Sequence, residues 1–306
     1  MRIVFMGTAE LACPVLESVA KRSGHDVVSV VTQPDRPKGR ELALAAPPVK
    51  VAALKLGLPV LQPPKVREMD AVCAIRDFRP DLIVVVAYGQ ILPRHVLEIP
   101  RLGCLNVHTS LLPRWRGAAP IQYAILAGDR ETGVTTMYMN EKMDEGDIIL
   151  QRSVTIGGGD TAATLHDRLA LVGAELAVET VQLLADGRAP RIRQDESQVT
   201  YAHKISKEQG HIDWRRPVVE IERQVRAFNP WPSAYFFAGD LMVKVWKAVV
   251  AECGSGLSAG SVTGDRLIAT GRGALCPVEV QPAGKKRMGW EDFLRGHQLP
   301  VGTILQ

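Results

Sequence analysis

Uninterrupted apolar runs separated by helical periodicities organise the first half of this chain. Residues 2–6 form an apolar run that stops at Gly7, and Leu11, Val15, Leu16 and Val19 then recur at helical spacing. Residues 27–31 are a β-branched run and residues 81–87 hold another. Short apolar strands alternating with helices predict a mostly parallel sheet covered on both faces, because a strand buried on both sides has no polar face to alternate with. Further along, 133–139 reads as a strand. Residues 161–184 read as one long helix with Leu165, Leu169, Val172, Leu176 and Leu183 on its apolar side. Asp186-Gly187-Arg188-Ala189-Pro190 ends that helix, and polar residues 191–198 read as a linker. Beyond Ser206 the pattern changes to Gly turns and short β-prone runs at Phe236-Phe237, 241–245 and 278–280, after one helix near 218–228. That pattern predicts a small, mostly β barrel.

Composition narrows the class without naming a function. The chain has 306 residues, 46% hydrophobic and 23% charged, which suits a globular protein of one large or two smaller domains. Five scattered cysteines (Cys13, Cys73, Cys104, Cys253, Cys276) show neither CxxC pairs nor metal-ligand spacing, so neither a metal nor a disulfide framework is expected. No apolar run is long enough to span a membrane. The first residues run straight into a strand pattern without a signal or transit segment, so a cytoplasmic protein is expected. The net charge is +4, and from Ser206 onward thirteen Lys or Arg face ten Asp or Glu. Such an excess fits an anionic partner or simply a solvated basic face. Gly7-Thr8 after the first strand is not a GxGxxG fingerprint, which argues against a dinucleotide.

Candidate chemistry gathers at two places. Asn106 and His108 stand two residues apart in a strand-like run, just before Thr109-Ser110-Leu111-Leu112-Pro113-Arg114-Trp115-Arg116-Gly117. Residues i and i+2 of a strand point to one face, so the carboxamide and the imidazole project together. Open α/β sheets bind ligands at the C-terminal ends of their strands, where this Pro- and Gly-punctuated turn begins. A neutral amide donor beside a titratable ring suits a reaction in which a carbonyl becomes an oxyanion while a proton changes hands. An Asn-x-His on a strand also fits plain hydrogen-bonded structure. The second cluster, Met143-Asp144-Glu145-Gly146-Asp147, lies between the 133–139 strand and the apolar residues 148–150. Either Asp144 orients His108 from that turn, or Asp144 and Asp147 serve only the turn itself. Cys104 reads as a buried small hydrophobe rather than a nucleophile. Residues 33–48 carry four prolines and no periodicity, and read as a recognition arm or as a surface excursion.

These residues carry a resemblance. Asn106-Val107-His108 followed by Ser110-Leu111-Leu112-Pro113-Arg114-Trp115-Arg116-Gly117-Ala118-Ala119-Pro120-Ile121 resembles the signature of the folate-dependent formyltransferases. The C-terminal third resembles the branch of that family that formylates methionyl-tRNA. The segments concerned are Lys204-Ile205-Ser206-Lys207-Glu208, Gly210-His211-Ile212-Asp213-Trp214, Arg226-Ala227-Phe228-Asn229-Pro230-Trp231-Pro232 and Glu279-Val280-Gln281-Pro282-Ala283-Gly284-Lys285-Lys286. The resemblance runs over essentially the whole chain. It implies an α/β fold: a Rossmann-like formyltransferase domain over 1–189, a linker over 190–205 and a smaller OB-like β-barrel domain over 206–306.

The implied reaction moves the formyl group of 10-formyltetrahydrofolate, a co-substrate, to the α-amine of methionyl-initiator tRNA, with no metal and in a monomer. By the same resemblance Asn106, His108 and Asp144 form the catalytic set. Ser110, Leu111, Leu112 and Pro113 contact folate, and Tyr88, Gly89, Gln90 and Ile91 wall its pterin slot. Lys38 and Arg40 on the Pro-rich loop, together with Lys204, Lys207, Arg223, Arg226, Lys285, Lys286 and Arg287, are the implied tRNA contacts. Burial suits Trp214, Trp231 and Trp246 better than base stacking. The chain departs from the family pattern in two places: Glu41-Leu42-Ala43 stands where many members carry further lysines, and Ala9 where a proline is common. A sugar-nucleotide formyltransferase is the nearest rival reading. An RNA-binding protein with an inactive catalytic domain is a rival of another class, against which the intact Asn106, His108 and Asp144 argue.

Overall fold

The computed structural model describes residues 1–38, 43–252 and 257–306. The chain folds as two compact units, the first formed by residues 1–120, 131–155 and 166–202, the second by residues 121–130, 156–165 and 203–306. In chain order the elements up to residue 202 are β1 (Arg2–Gly7), α1 (Ala12–Arg22), β2 (Asp26–Val31), β3 (Arg36–Lys38), β4 (Ala43–Ala45), α2 (Pro48–Lys55), β5 (Val60–Leu61), α3 (Met69–Asp77), β6 (Leu82–Val86), α4 (Arg94–Leu97), β7 (Cys104–His108), β8 (Arg116–Gly117), α5 (Pro120–Ala127), β9 (Glu131–Tyr138), β10 (Ile148–Thr155), α6 (Ala162–Ala185) and β11 (Tyr201–Ala202).

Seven strands make the first unit's sheet, in the order β10-β9-β7-β6-β1-β2-β5. From β7 to β5 all neighbours are parallel, and β9 and β10 add an antiparallel edge. The parallel strands are the apolar runs expected from the sequence. β6 is buried at every residue and β1 at all but its first, so neither has a polar face. β10 reads differently, alternating half-buried and exposed residues from Leu150 onward, as an edge strand with one solvated face does. α6 lies across β7 and β9 with Gly173 at the approach, where an added Cβ would sit 3.3 Å from Val107 Cγ1. A buried hydroxyl pair, Thr136 with Thr180 at 2.9 Å, ties the same helix to β9. The strand that bears Asn106 and His108 is thus held by parallel β6 on one side, antiparallel β9 on the other, and a helix over one face.

Of the linker expected over 190–205, residues 191–202 run along the first unit. Ile192 bridges to Ile148, and β11 pairs in parallel with β8.

The second unit holds α7 (Val218–Ala227), β12 (Ala234–Ala238), β13 (Leu241–Ala251), β14 (Ile268–Ala269), β15 (Ala274–Pro282), β16 (Met288–Gly289) and α8 (Trp290–Gly296). Its antiparallel sheet runs β12-β13-β15-β14 with β16 on β15. Ile221 and Val225 of α7 join Phe236, Val243, Val245, Leu275, Val280, Trp290 and Phe293 in one core. Trp214 and Trp246 are buried as expected, but Trp231 is 49% exposed. Pro230 and Pro232 flank it in the turn between α7 and β12, where Trp231 stays exposed while Ser233 is buried. Among the described residues no helix is long and apolar enough to cross a membrane.

Phe236 is fully buried and meets Trp214 and Trp290 edge-on. Phe236→Ala should therefore destabilise the second unit by about 3–5 kcal/mol. Tryptophan fluorescence during denaturation checks this, because four of the five tryptophans lie beyond residue 203. An unshifted midpoint would contradict the packing described.

Candidate active site

Strand alternation puts Asn106 and His108 on one face of β7, opposite Met137 and Thr135 of β9. The excursion from β9 to β10 then folds back and brings Asp144 onto that face. Asn106 Nδ2 donates to Asp144 Oδ1 at 3.3 Å, and His108 Nδ1 lies 3.7 Å from Asp144 Oδ2. The backbone N–H of Gly117 donates to the same Oδ2 at 2.8 Å. His108 Nε2 is 3.0 Å from the carbonyl of Trp115. A carbonyl only accepts, so Nε2 carries the hydrogen and Nδ1 is the atom at which a proton is gained or lost. Asn106, His108 and Asp144 thus occupy one site, with His108 and Asp144 largely buried.

The loop between β7 and β8 is held by a hydrogen bond of its own and by side chains of β9 and β10. Ser110 Oγ donates to the Arg114 carbonyl at 2.6 Å, and Thr135 Oγ1 donates to the Ser110 carbonyl at 2.6 Å. Gln151 Nε2 reaches both the Leu112 carbonyl at 2.8 Å and Thr135 Oγ1 at 2.9 Å. Trp115 adopts φ 63 and Gly117 φ 120. At Gly117 a Cβ would meet the Ala202 carbonyl at 2.5 Å, so glycine is what lets β8 lie against β11 while its N–H faces Asp144.

A cavity of about 170 Å³ opens beside Asp144. It is lined by Gln90, Ile91 and Leu92 on one side and by Met137, Met139 and Asn140 to Asp144 on the other. Of the expected folate contacts, Gln90 and Ile91 reach this cavity directly. Leu112 is one shell away, packed on Met137 and Ile148. Ser110 is buried with its hydroxyl engaged inside the loop, and Leu111 and Pro113 are half-buried along it. Tyr88 turns its ring into the core beside Val4 and Val96, where burial pushes its phenol up to about 12. Its carbonyl is what faces neighbouring groups, accepting from Thr8 Oγ1 and Gln33 Nε2. Gly89, at φ 84, turns the chain between that ring and Gln90. Burial likewise raises the Cys104 thiol to about 12, which leaves it a poor nucleophile. Among the described residues no cluster of three or more His, Cys, Asp or Glu is placed to share a metal ion.

Three residues at the site carried no specific signal in the sequence. Gln194 donates to the carbonyls of Asp144 and Gly146, and fully buried Arg116 holds Gln194 and Glu196. Arg116 stood in view within the long motif, and a charge among Gly, Trp and Ala was the only hint of its burial.

The basic residues are distributed as follows. Arg40 lies outside the described residues, and Lys38 ends β3. Lys204, Lys207, Lys285 and Lys286 are exposed on the second unit. Arg223 and Arg226 line a groove of about 720 Å³ there with Trp246 and Lys247, and Arg226 is paired with Glu222. The Arg287 guanidinium lies over the Trp246 ring at 3.6 Å, and Lys244, unmarked in the sequence, is 5.8 Å from the same ring.

With this geometry in place, comparison with known proteins is informative. Residues 1–181 match the family described as formyl transferase, and residues 204–298 match the formyl transferase C-terminal domain. The methionyl-tRNA formyltransferase of Citrifermentans bemidjiense is 49% identical over 100% of this chain and 96% of its own. That of Methylococcus capsulatus is 50% identical over 98% of both chains. Among solved structures, WlaRD, a sugar 3N-formyl transferase crystallised in the presence of dTDP and 5-N-formyl-THF, superposes with a TM-score of 0.68 at 19% identity. The match covers 94% of this chain and 99% of WlaRD, a likeness of fold.

Gly146 tests the turn that carries Asp144. A Cβ there would lie 1.6 Å from the Tyr138 carbonyl oxygen, which is backbone. Gly146→Ala should cost about 1–3 kcal/mol by forcing the turn away from β9. Gly158→Ala, where a Cβ meets nothing within 4 Å, serves as the control. Equal denaturation midpoints for the two variants would refute the assignment.

Proposed function

Because the chain belongs to the formyl transferase family, we propose that it transfers the formyl group of 10-formyltetrahydrofolate to the α-amine of methionyl-initiator tRNA. The product is N-formylmethionyl-tRNA for translation initiation. The observation that carries this reading is the convergence of Asn106 and His108 on Asp144, which itself lines the cavity, in a chain about half identical over its full length to methionyl-tRNA formyltransferases.

The chain's own groups suit that chemistry. Attack of a free amine on the formyl carbon puts negative charge on the formyl oxygen. Asn106 spends one amide hydrogen on Asp144 and has a second for that oxygen, a hydrogen bond that strengthens as charge develops. His108 takes the amine's proton at Nδ1, where the Asp144 carboxylate offsets the new imidazolium charge. The same proton then passes to the folate nitrogen as its bond to the formyl carbon breaks. The cavity suits a flat heteroaromatic ring: Met137, Met139, Leu92 and Ile91 give apolar faces, while Gln90 and the chain at 140–144 give polar edges. The reading is of a monomer, and its acceptor belongs to cytoplasmic translation.

For the RNA, the reading places phosphate contacts on the exposed lysines of the second unit and on Arg287, with Lys38 and Arg40 reaching the acceptor end.

The test of the function is formyl transfer to methionyl-tRNA in competition with an amino-sugar nucleotide. Formylmethionyl-tRNA as the sole product is expected. Formylated sugar would overturn the acceptor, and absence of transfer would overturn the reaction. Replacing Lys285, Lys286 and Arg287 together by alanine should weaken tRNA binding and flatten its salt dependence by about one log unit per lost phosphate contact. A salt slope identical to that of the unaltered chain would place the RNA elsewhere.

A further inference from the structure

Gln194 and Arg116 reach the Asp144 turn from outside the reacting groups and have no part in the chemistry above. Gln194 is buried, and its one amide nitrogen donates to two carbonyls of the turn, Asp144 O and Gly146 O, both at 2.8 Å. Its own oxygen accepts from Arg116 Nε at 3.0 Å. Guanidinium groups only donate, so the orientation of the Gln194 amide is determined by Arg116. Arg116 in turn is fully buried and requires opposite charge. Glu196 supplies it at 2.8 and 3.3 Å, and Glu145, the residue after Asp144, lies 3.7 Å away.

Three successive residues of the turn are therefore held by one assembly: the carbonyl of Asp144, the side chain of Glu145 and the carbonyl of Gly146. The residue after Arg116, Gly117, grips the Asp144 carboxylate itself through its N–H. Asp144 sits at φ 54, a left-handed conformation that favours glycine. Because the peptide is planar, pinning the Asp144 and Gly146 carbonyls fixes the peptide planes on the C-terminal side of Asp144 and so narrows the directions its side chain can take.

We propose that Gln194, oriented by Arg116, is a positioning residue for Asp144: it holds the backbone of 144–146 so that the carboxylate meets the Gly117 N–H, the Asn106 amide and His108 Nδ1. Its kinetic consequence rests on the formyl-transfer reading, and its structural consequence does not.

Two variants of the full chain separate the roles. Gln194→Glu keeps an acceptor for Arg116 and removes both N–H donors, whereas Gln194→Ala removes the whole amide. In both, the Gly117 amide, whose acceptor is the Asp144 carboxylate, exchanges with solvent about tenfold faster or more, while β6 amides keep their protection. In formyl transfer kcat falls by about tenfold or more, with KM for methionyl-tRNA within about twofold. Adding Gln194→Ala to an Asp144→Ala chain costs no further kcat, since the effect runs through Asp144. Unchanged Gly117 exchange in Gln194→Glu overturns the proposal whatever the chain catalyses, and so does an additive loss in the double variant. An unaltered chain that transfers no formyl group would overturn the functional reading alone, leaving the exchange result to decide this one.

Discussion

The carboxylate of Asp144 is the group on which the site depends. It accepts from Asn106 on one oxygen and from the Gly117 N–H on the other, and it faces His108. A non-glycine residue in the left-handed region costs on the order of 1–2 kcal/mol. Four hydrogen bonds converge on this residue and its turn, each worth about 1 kcal/mol net. The strained conformation is therefore affordable, and it aims a charge at a ring that a relaxed turn would leave alone. The donors come from β7, β8 and the 191–202 segment, so the turn is right only when all three are in place.

Much of this was legible in the chain. β1, β2 and β6 read as strands because burial on both faces leaves them uninterrupted apolar residues, and α6 read as a helix from the spacing of Leu165, Leu169 and Leu176. Asn106 and His108 could be paired from strand geometry alone, since alternation is a local property. What joins Asp144 to them is not local. Its turn lies 38 residues from Asn106, and the closure depends on Gly117 and Gln194, which no periodicity marks. Residues 191–198 read as a polar linker because hydrogen-bonding side chains carry no pattern until their partners are known. The burial of Arg116 was hidden for the same reason, its counter-charge standing 80 positions away. Tyr88 and Trp231 show the limits of residue type as a guide. The ring of Tyr88, a residue expected at the ligand wall, faces the core, and the indole of Trp231, expected inside, sits between two prolines in a turn.

The second unit follows a different logic. Its core is an aromatic assembly, Trp214 and Trp290 against Phe236 and Trp290 against Phe293, which holds a small antiparallel sheet together. Outside that core the side chains are of another kind. Tyr235 stacks on His211, Lys244 stands opposite Tyr235 across the strand pair, and Arg287 covers Trp246. A face that carries Lys244 and Arg287 suits the phosphates of RNA, which give such contacts their affinity. Under the proposed function, the first unit carries the amine acylation and the basic face of the second holds the RNA.

The central claim is that Asn106, beside His108 and Asp144, stabilises charge that exists only while the formyl group is in transit. Single-turnover transfer with enzyme in excess over methionyl-tRNA isolates that step. Asn106→Ala should slow it by about 100- to 1,000-fold, the loss expected for one oxyanion donor, while the tRNA dissociation constant stays the same. A chemical step within a few-fold of the unaltered chain, or a loss confined to tRNA binding, would contradict the account.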